Sequence, residues 1–360
     1  MKEAQAFRAE RDYAALRSPP AGRSACPDLS VSEAVNEWLR ICAQTGTSRH
    51  DQPVSAYTLQ NYAHRAEIIR RHPWRAPLAQ LSTPDVVEFK AWLLRNCASR
   101  DQARKVLSSF QTVVKEMALR GLIAANVAAG VSIKRETRYD QTPRIPTERQ
   151  VSDLLAAADR FANSKNAAVA SAWERYRPML YLAADTGMRP QEYLALPRSN
   201  LQRDGVLVDR AIERPGLKIS VTKTPAGRRF LPCSPEVLEM ARRHSALDLE
   251  RGAWDLLFPT ATGHWQSIDN WRNRGFAKAC LEAGLVDGAG SEAPKPAFTP
   301  YALRHFFASM LIDRGLSLKR VQTRMGHANI ETTLNTYGHL IESAELREED
   351  EAGMLDLMET

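Results

Sequence analysis

Apolar residues recur at helical spacing in four stretches of the first third of the chain, and this pattern predicts a small helical bundle. The first stretch begins with Ser30 and Glu33, and a serine followed three positions later by a glutamate is typical of a helix N-terminus. Thr83 and Pro84 begin the third stretch, with the threonine as the predicted N-cap. The predicted helices start at residue 30 and cover 57–71, 83–96 and 100–120.

The rest of the chain alternates between helical and strand patterns. Three short runs, Val206–Val208, Leu217–Val221 and Arg228–Pro232, predict a small antiparallel sheet with a turn at residues 225–227, between the last two runs. We therefore expect a mainly α fold with a small antiparallel β-sheet. The predicted organisation is a flexible lead-in at 1–29, a helical domain at 30–133, a charged linker at 134–146, a second domain at 147–345 and an acidic tail at 346–360.

Composition is compatible with two domains and narrows the environment. The chain has 360 residues, of which 44% are hydrophobic, and this is sufficient for two cores. Its five cysteines are scattered without the spacing of a zinc site, so we expect a reduced, metal-free protein. We also expect a cytoplasmic location and no membrane span, because no apolar run approaches about 18 residues.

Charge is distributed unevenly along the chain. The net charge is +7, but residues 342–360 carry −7, so the remainder carries +14. Such a surface is suited to a polyanion such as DNA, although each arginine taken alone is as easily explained by a solvated helix face. The candidate DNA-binding residues on the helices and in the linker are Arg65, Arg100, Arg104, Lys105, Lys134, Arg135 and Arg138.

Residues 298–340 contain the most informative pattern. The helical period through Leu303, Phe306, Phe307, Met310 and Leu311 places Arg304 at the edge of a buried face. A buried arginine requires an anion or an equivalent partner. A Gly326-His327 turn follows, and a further helix carries Tyr337 towards the same neighbourhood. Arginine, histidine and tyrosine are therefore predicted to converge.

At these residues the sequence resembles the tyrosine recombinase (phage integrase) family, whose C-terminal signature is His-x-x-Arg, a Gly-His turn and a following tyrosine. Arg304, His327 and Tyr337 match, whereas Tyr301 occupies the position usually held by the histidine. Residues 186–194 resemble the family's Thr-Gly-x-Arg-x-x-Glu-Leu motif and contribute Arg189 and Glu192.

A lysine of the family's β-hairpin completes the resemblance. Lys223 is the better match because it immediately precedes the turn, and Lys218 is the alternative. An ion pair between Arg189 and Glu192 with a purely structural role is a second open interpretation. The resemblance implies a helical core-type DNA-binding domain followed by a catalytic domain.

The resemblance also implies a reaction. Tyr337 is the expected nucleophile, Arg189, Arg304 and His327 stabilise charge on the phosphate, and Lys223 protonates the leaving 5′ oxygen. Tyr301 is expected to donate a hydrogen bond to the phosphate or to position Tyr337. The product is a 3′-phosphotyrosyl intermediate, and neither a metal nor a nucleotide cofactor is implied.

The implied partner is double-stranded DNA at the nucleoid, bound by a homo-oligomer, a tetramer on two DNA sites. Two alternatives remain at this point: a non-catalytic DNA-binding protein of the same fold, and a type IB topoisomerase-like enzyme that relaxes supercoils. The acidic tail, with apolar residues between Met354 and Met358, is predicted either to dock on a neighbouring copy or to remain solvated.

Overall fold

The computed structural model describes residues 28–48, 52–134, 143–213, 218–222, 225–288 and 293–351. The chain forms two compact units, one within residues 1–140 and the other within residues 141–360. Within the described ranges, no helix is long and apolar enough to cross a membrane. Several predicted features lie outside the described residues. They are residues 1–27 of the predicted lead-in, Lys223, Arg135, Arg138 and residues 352–360 of the tail.

The described residues of the first unit contain four α-helices, as the apolar periodicity predicts. They are α1 (Val31–Gln44), α2 (Ala56–Arg71), α3 (Thr83–Asn96) and α4 (Arg100–Leu119). The last of these packs against the other three, and its buried face includes Phe110 and Met117. Its long apolar stripe lets it pack against each shorter helix, and α1 and α2 also pack against each other.

Side-chain caps determine where these helices begin. Ser30 and Glu33 form the predicted capping box at the start of α1. The predicted N-cap of α3 was one residue too late: Ser82, not Thr83, is the N-cap. Its backbone N–H donates to Asp85 Oδ2 at 2.8 Å and its hydroxyl donates to the same oxygen, so the serine fits the position where Asp85 can reach back.

The second unit has nine helices in its described residues, together with short strands. The helices are α5 (Glu148–Ala162), α6 (Ala167–Thr186), α7 (Pro190–Tyr193), α8 (Pro235–Ser245), α9 (Ile268–Asn270), α10 (Ala277–Glu282), α11 (Tyr301–Asp313), α12 (Leu318–Met325) and α13 (Ile330–Glu351). A π-helical turn, Trp271–Phe276, joins α9 to α10. The Thr147 capping box starts α5, and α6 packs against α5, α8 and α11.

Helix α6 is longer than its apolar run. The run Trp173–Asp185 predicts a helix over those residues only, but the helix starts at the Asn166 cap and contains Pro178. Its first six residues include Ser171 and several alanines, which give little apolar contrast to detect. Most of its C-terminal half is buried in the core of the unit.

The strands pair differently from the prediction. Strand β1 (Gly205–Val208) pairs with β4 (Arg229–Pro232), and β2 (Arg210–Glu213) pairs with β3 (Lys218–Val221), all antiparallel. The predicted antiparallel character is confirmed, but the last two predicted strands are not each other's partners. The missing strand is β2, which has only Ile212 buried. A third pair, β5 (Val286–Asp287) with β6 (Lys295–Pro296), lies in the loop before α11.

Candidate active site

Arg189 is positioned by a helix break that requires glycine. Gly187 ends α6 with φ 60°, a left-handed conformation that side chains disfavour. A Cβ at this position would lie 2.4 Å from Phe307 Cδ1. The chain then turns, and Arg189 is the N-cap of α7. The glycine at position 187 of the sequence predicts this helix break.

Glu192 lies between two arginines. Arg189 donates to it from its backbone N–H and from Nη1, both at 2.8 Å. Arg229 donates from Nη1 and Nη2, at 3.1 and 2.8 Å. Glu192 is 3% exposed, and although burial acts to raise its pKa, the hydrogen bonds from Arg229 and the charges of the three nearby arginines lower it to about 2. The carboxylate is therefore ionised in the folded protein.

The Arg189 guanidinium has further contacts beyond Glu192. Its Nη2 donates to the Gly326 carbonyl at 3.3 Å. Burial acts to lower its pKa, but the Glu192 carboxylate and the Tyr301 hydroxyl raise it above the usual arginine value. The predicted Arg189–Glu192 ion pair is present, and it also supports a guanidinium that faces Tyr301.

Arg304 is held by backbone carbonyls. It is 2% exposed, and it donates to Gly187 O at 2.9 Å and to Met325 O. Burial first, and the charge of Arg189 second, lower its pKa to about 10, so it remains a cation at neutral pH. The carbonyls stabilise the cation without neutralising it, which leaves its charge for an anion.

The buried face of α11 differs from the predicted one. Arg304 belongs to the face itself, together with Leu303, Ala308 and Ile312, whereas Phe306 and Phe307 are half-buried. The sequence pattern placed the large aromatic residues inwards because it weighs hydrophobicity alone. The face that is buried is instead the one from which Arg304 can donate hydrogen bonds to backbone carbonyls.

His327 follows a second glycine turn. Gly326 ends α12 with φ 61°, and His327 N donates to Gln322 O at 3.1 Å. The ring Nδ1 lies 2.9 Å from the hydroxyl of the fully buried Thr333. Burial first, and the charges of Arg304 and Arg189 next, lower the pKa of His327 to about 4. The imidazole is therefore neutral at pH 7.

Tyr337 is buried, and its hydroxyl has a partner that the sequence analysis missed. The residue is 1% exposed, and its hydroxyl lies 2.9 Å from Nδ1 of His305. Burial raises the pKa of Tyr337 to about 12, against the opposing charge of Arg304. The sequence feature that could have indicated His305 is its position directly after Arg304. Its contact with Tyr337 could not be predicted, because it depends on how α11 and α13 pack.

Tyr301 begins α11 at the rim of this site. It is 39% exposed, and its ring centroid lies 5.9 Å from that of His305. Tyr301 is close enough to Arg189, Arg304 and Tyr337 to act to raise the pKa of each of them. The site thus brings together the predicted residues Arg189, Glu192, Tyr301, Arg304, His327 and Tyr337, and adds Arg229 and His305.

The remaining predicted residues belong to the first unit or lie outside the described residues. Lys223, the predicted hairpin lysine, is not described, and the alternative Lys218 pairs with Glu213 across strands at 3.5 Å. No group of three potential metal ligands occurs among the residues that the structure covers. The positive charge of the site comes from Arg189, Arg229 and Arg304, which surround Glu192.

The predicted DNA-binding residues of the first unit have local partners. Arg104 and Lys105 pair with Asp101 at 2.8 and 2.6 Å, and Arg100 donates to the carbonyl of the exposed Lys134 at 3.3 Å. Arg65 lies over the Tyr62 ring, 5.6 Å from its centroid. Exposed ion pairs of this kind are weak, so they leave the cations exchangeable for phosphate.

Comparisons with known proteins identify the family of this chain. Residues 145–343 match the model of the phage integrase family, more than half of the chain. The chain therefore belongs to the phage integrase family. It is 27% identical over 305 residues to the tyrosine recombinase XerD of Agrobacterium fabrum, covering 81% of this chain and 87% of that protein.

Other similar proteins belong to transposons, as their names state. The transposase of transposon Tn916 from Enterococcus faecalis is 30% identical over 215 residues, which cover 56% of this chain and 49% of that protein. A Tn1549 transposon integrase in complex with transposon right end DNA has a TM-score of 0.69 at 18% identity, covering 90% of this chain and 99% of that one. The expected fold class is confirmed, and the chain is an enzyme of the tyrosine recombinase class.

Proposed function

We propose that this enzyme breaks and rejoins DNA at specific sites, with Tyr337 as the nucleophile. The observation that carries the proposal is the convergence of Arg189, Arg304, His327 and Tyr337 from separate segments, close enough for the charges of both arginines to act on His327 and Tyr337. Attack on phosphorus adds negative charge to the non-bridging oxygens, and fixed cations stabilise that charge.

Each phosphate-binding residue has a distinct place in this scheme. Arg189 and Arg304 provide paired donors to the non-bridging oxygens, because a guanidinium matches two phosphate oxygens. His327 provides a further donor from Nε2, because Thr333 can donate to Nδ1 and so fix the tautomer. Loss of one such donor costs about 3–4 kcal/mol of transition-state stabilisation.

Proton transfer involves two further residues. The attacking phenol loses its proton, and His305 lies within hydrogen-bond distance of that hydroxyl. We assign His305 as the proton acceptor, since burial and the charge of Arg304 lower its pKa and keep it neutral. Lys223 is the proposed general acid for the departing 5′ oxygen. The resulting 3′-phosphotyrosyl bond is then attacked by the 5′ hydroxyl of another strand.

DNA binding and assembly complete the proposal. One structural neighbour is a lambda integrase tetramer bound to a Holliday junction, with a TM-score of 0.61 and 19% identity, covering 92% of this chain and 86% of that one. By analogy, we propose that four copies of this chain act on two DNA sites at the nucleoid. The cationic residues of the first unit and of the linker, from Arg65 to Arg138, would contact the phosphate backbone.

The test is covalent trapping on DNA. A nicked suicide substrate that contains the recombination site should form an SDS-stable adduct with the wild-type chain and none with Tyr337→Phe. An adduct that persists in Tyr337→Phe would show that another residue is the nucleophile. Relaxation of a supercoiled plasmid without such a site would instead indicate a topoisomerase-like activity.

A further inference from the structure

Arg229 makes an unusual set of contacts beneath the candidate active site. Its guanidinium donates to both oxygens of Glu192, to Gly227 O at 3.1 Å and, from Nε, to Arg324 O at 2.8 Å. Its side chain is only 4% exposed. The residue therefore joins its own segment to two others, which lie 37 and 95 positions from it in the sequence.

Two of these segments carry residues that the proposed function uses. Glu192 holds Arg189 through two hydrogen bonds, so the contact from Arg229 fixes the carboxylate on which Arg189 rests. Arg324 lies three positions before His327, and its carbonyl accepts from Arg229 Nε. A guanidinium can make all of these contacts at once because its donors point in fixed, different directions in one plane.

The Gly326 turn packs closely on the same guanidinium. A Cβ at Gly326 would lie 2.8 Å from Arg229 Nη1 and 3.0 Å from Ala226 O. The turn therefore rests directly on Arg229, and Gly326 O accepts from Arg189 Nη2. Movement of Arg229 would be transmitted both to Arg189, through Glu192, and to His327, through the turn.

Arg229 is unsuited to bind the phosphate itself. Both of its Nη atoms are engaged by Glu192, whose carboxylate neutralises one positive charge, and its side chain is buried. Arg304 differs because its partners are neutral carbonyls. The contacts of Arg229 thus favour a supporting role over direct contact with DNA.

We propose that Arg229 is a positioning residue for strand cleavage, which sets Arg189 through Glu192 and His327 through the Arg324 carbonyl. This inference rests on the proposed function, because it names the support for the same phosphate-binding groups. Displacement of a catalytic group by about 1 Å can cost on the order of a hundredfold in rate. The effect should therefore appear in the rate of the bound complex and not in DNA affinity.

The decisive variant is Arg229→Lys, which keeps the charge but cannot reach Glu192 and Arg324 O together. In single-turnover cleavage of the suicide substrate, we expect the rate constant at saturating DNA to fall about tenfold or more. The DNA concentration for half-saturation should stay within about twofold. Rates are normalised to the folded fraction, and Arg228→Lys, an exposed neighbour, is the matched control with an unchanged rate.

A double-mutant comparison separates positioning from general loss of structure. In the Glu192→Gln background the carboxylate that Arg229 holds is gone, so Arg229→Lys should reduce the rate constant by clearly less than it does in the wild type. Equal factors in both backgrounds would overturn the proposal, as would a rate constant for Arg229→Lys within about twofold of wild type.

Hydrogen exchange provides a readout that does not require cleavage. Peptides that contain residues 187–193 and 323–328 should exchange faster in Arg229→Lys, with the remainder of the second unit unchanged. Unaltered exchange in both peptides would overturn the positioning role whether or not the wild type cleaves DNA. Absence of any adduct with the wild type would overturn the proposed function, so the two failures are distinguishable.

Discussion

The hydroxyl of Tyr337 lies 2.9 Å from Nδ1 of His305, the residue that follows Arg304 in α11. One helix therefore carries both an arginine of the proposed phosphate site and the group in contact with the proposed nucleophile. Because the tyrosine is buried and its pKa is raised to about 12, it is protonated at neutral pH. A proton acceptor at this distance is what the attack on phosphorus requires.

Substitution of His305 tests that role. His305→Gln keeps a polar group but cannot accept the phenol proton, so we expect single-turnover cleavage at pH 7 to slow about a hundredfold. His264→Gln, at an exposed histidine, should leave the rate unchanged. Faster cleavage in His305→Gln would instead show that His305 only restrains Tyr337.

The pH dependence of cleavage follows from the same residue. Burial first, and the charge of Arg304 second, lower the pKa of His305 below its usual 6.5. The neutral, proton-accepting form is thus present at pH 7 and is lost as the pH falls through this lowered pKa. The wild-type rate should decline on the acid side of pH 6.5, and His305→Gln should lack this decline. An identical acid limb in both proteins would contradict the assignment.

Thr333 controls the tautomer of His327 in the proposed scheme. Thr333→Val removes the hydroxyl that lies 2.9 Å from His327 Nδ1, so we expect cleavage to fall about tenfold with little change in DNA affinity. Thr333→Ser should restore most of the rate because it retains the hydroxyl. Thr332→Val is the neighbouring exposed control. Failure of the serine variant to restore activity would point to packing as the role of Thr333.

Tyr301 replaces the histidine usual in the family and contributes a hydroxyl near Arg189. Tyr301→Phe removes only that group, and we expect at least about a tenfold loss, equivalent to about 1.4 kcal/mol, in cleavage rate. Tyr57→Phe removes a hydroxyl from a similarly exposed tyrosine, 37% against 39%, and should have no effect. A wild-type rate for Tyr301→Phe would leave Tyr301 as a packed aromatic residue without a catalytic contact.

Gly187 should be more sensitive to substitution than its backbone conformation alone requires. Gly284 has a similar φ of 70° with nothing within 4 Å of a Cβ, whereas a Cβ at Gly187 meets Phe307 at 2.4 Å. Gly284→Ala should lower the free energy of unfolding by about 1 kcal/mol, through backbone strain. Gly187→Ala should lower it by roughly 1–3 kcal/mol more, through overlap. Equal losses in denaturant titrations would refute the role of Phe307.

The sequence by itself determined the local features of this protein. The capping boxes at Ser30 and Thr147 and the four apolar stripes of the first unit depend on residues a few positions apart, and the structure contains them. The break at Gly187 is local in the same sense. The spacing of Arg304, His327 and Tyr337 likewise suggested their convergence, because it matches the C-terminal signature of the family.

Tertiary structure decided the contacts that join distant segments. Arg229 lies 37 positions from Glu192, and His305 lies 32 positions from Tyr337, so no periodicity relates them. The buried face of α11 was mispredicted because Arg304 donates hydrogen bonds to the carbonyls of Gly187 and Met325. A pattern of hydrophobic residues contains no information about such contacts. Strand β2 was missed because Ile212 is its only buried residue, so its sequence has no alternating apolar pattern to detect. Interactions between residues a few positions apart determine where each helix begins. The site depends on polar groups that are distant in the sequence and come into contact only when the helices and strands pack.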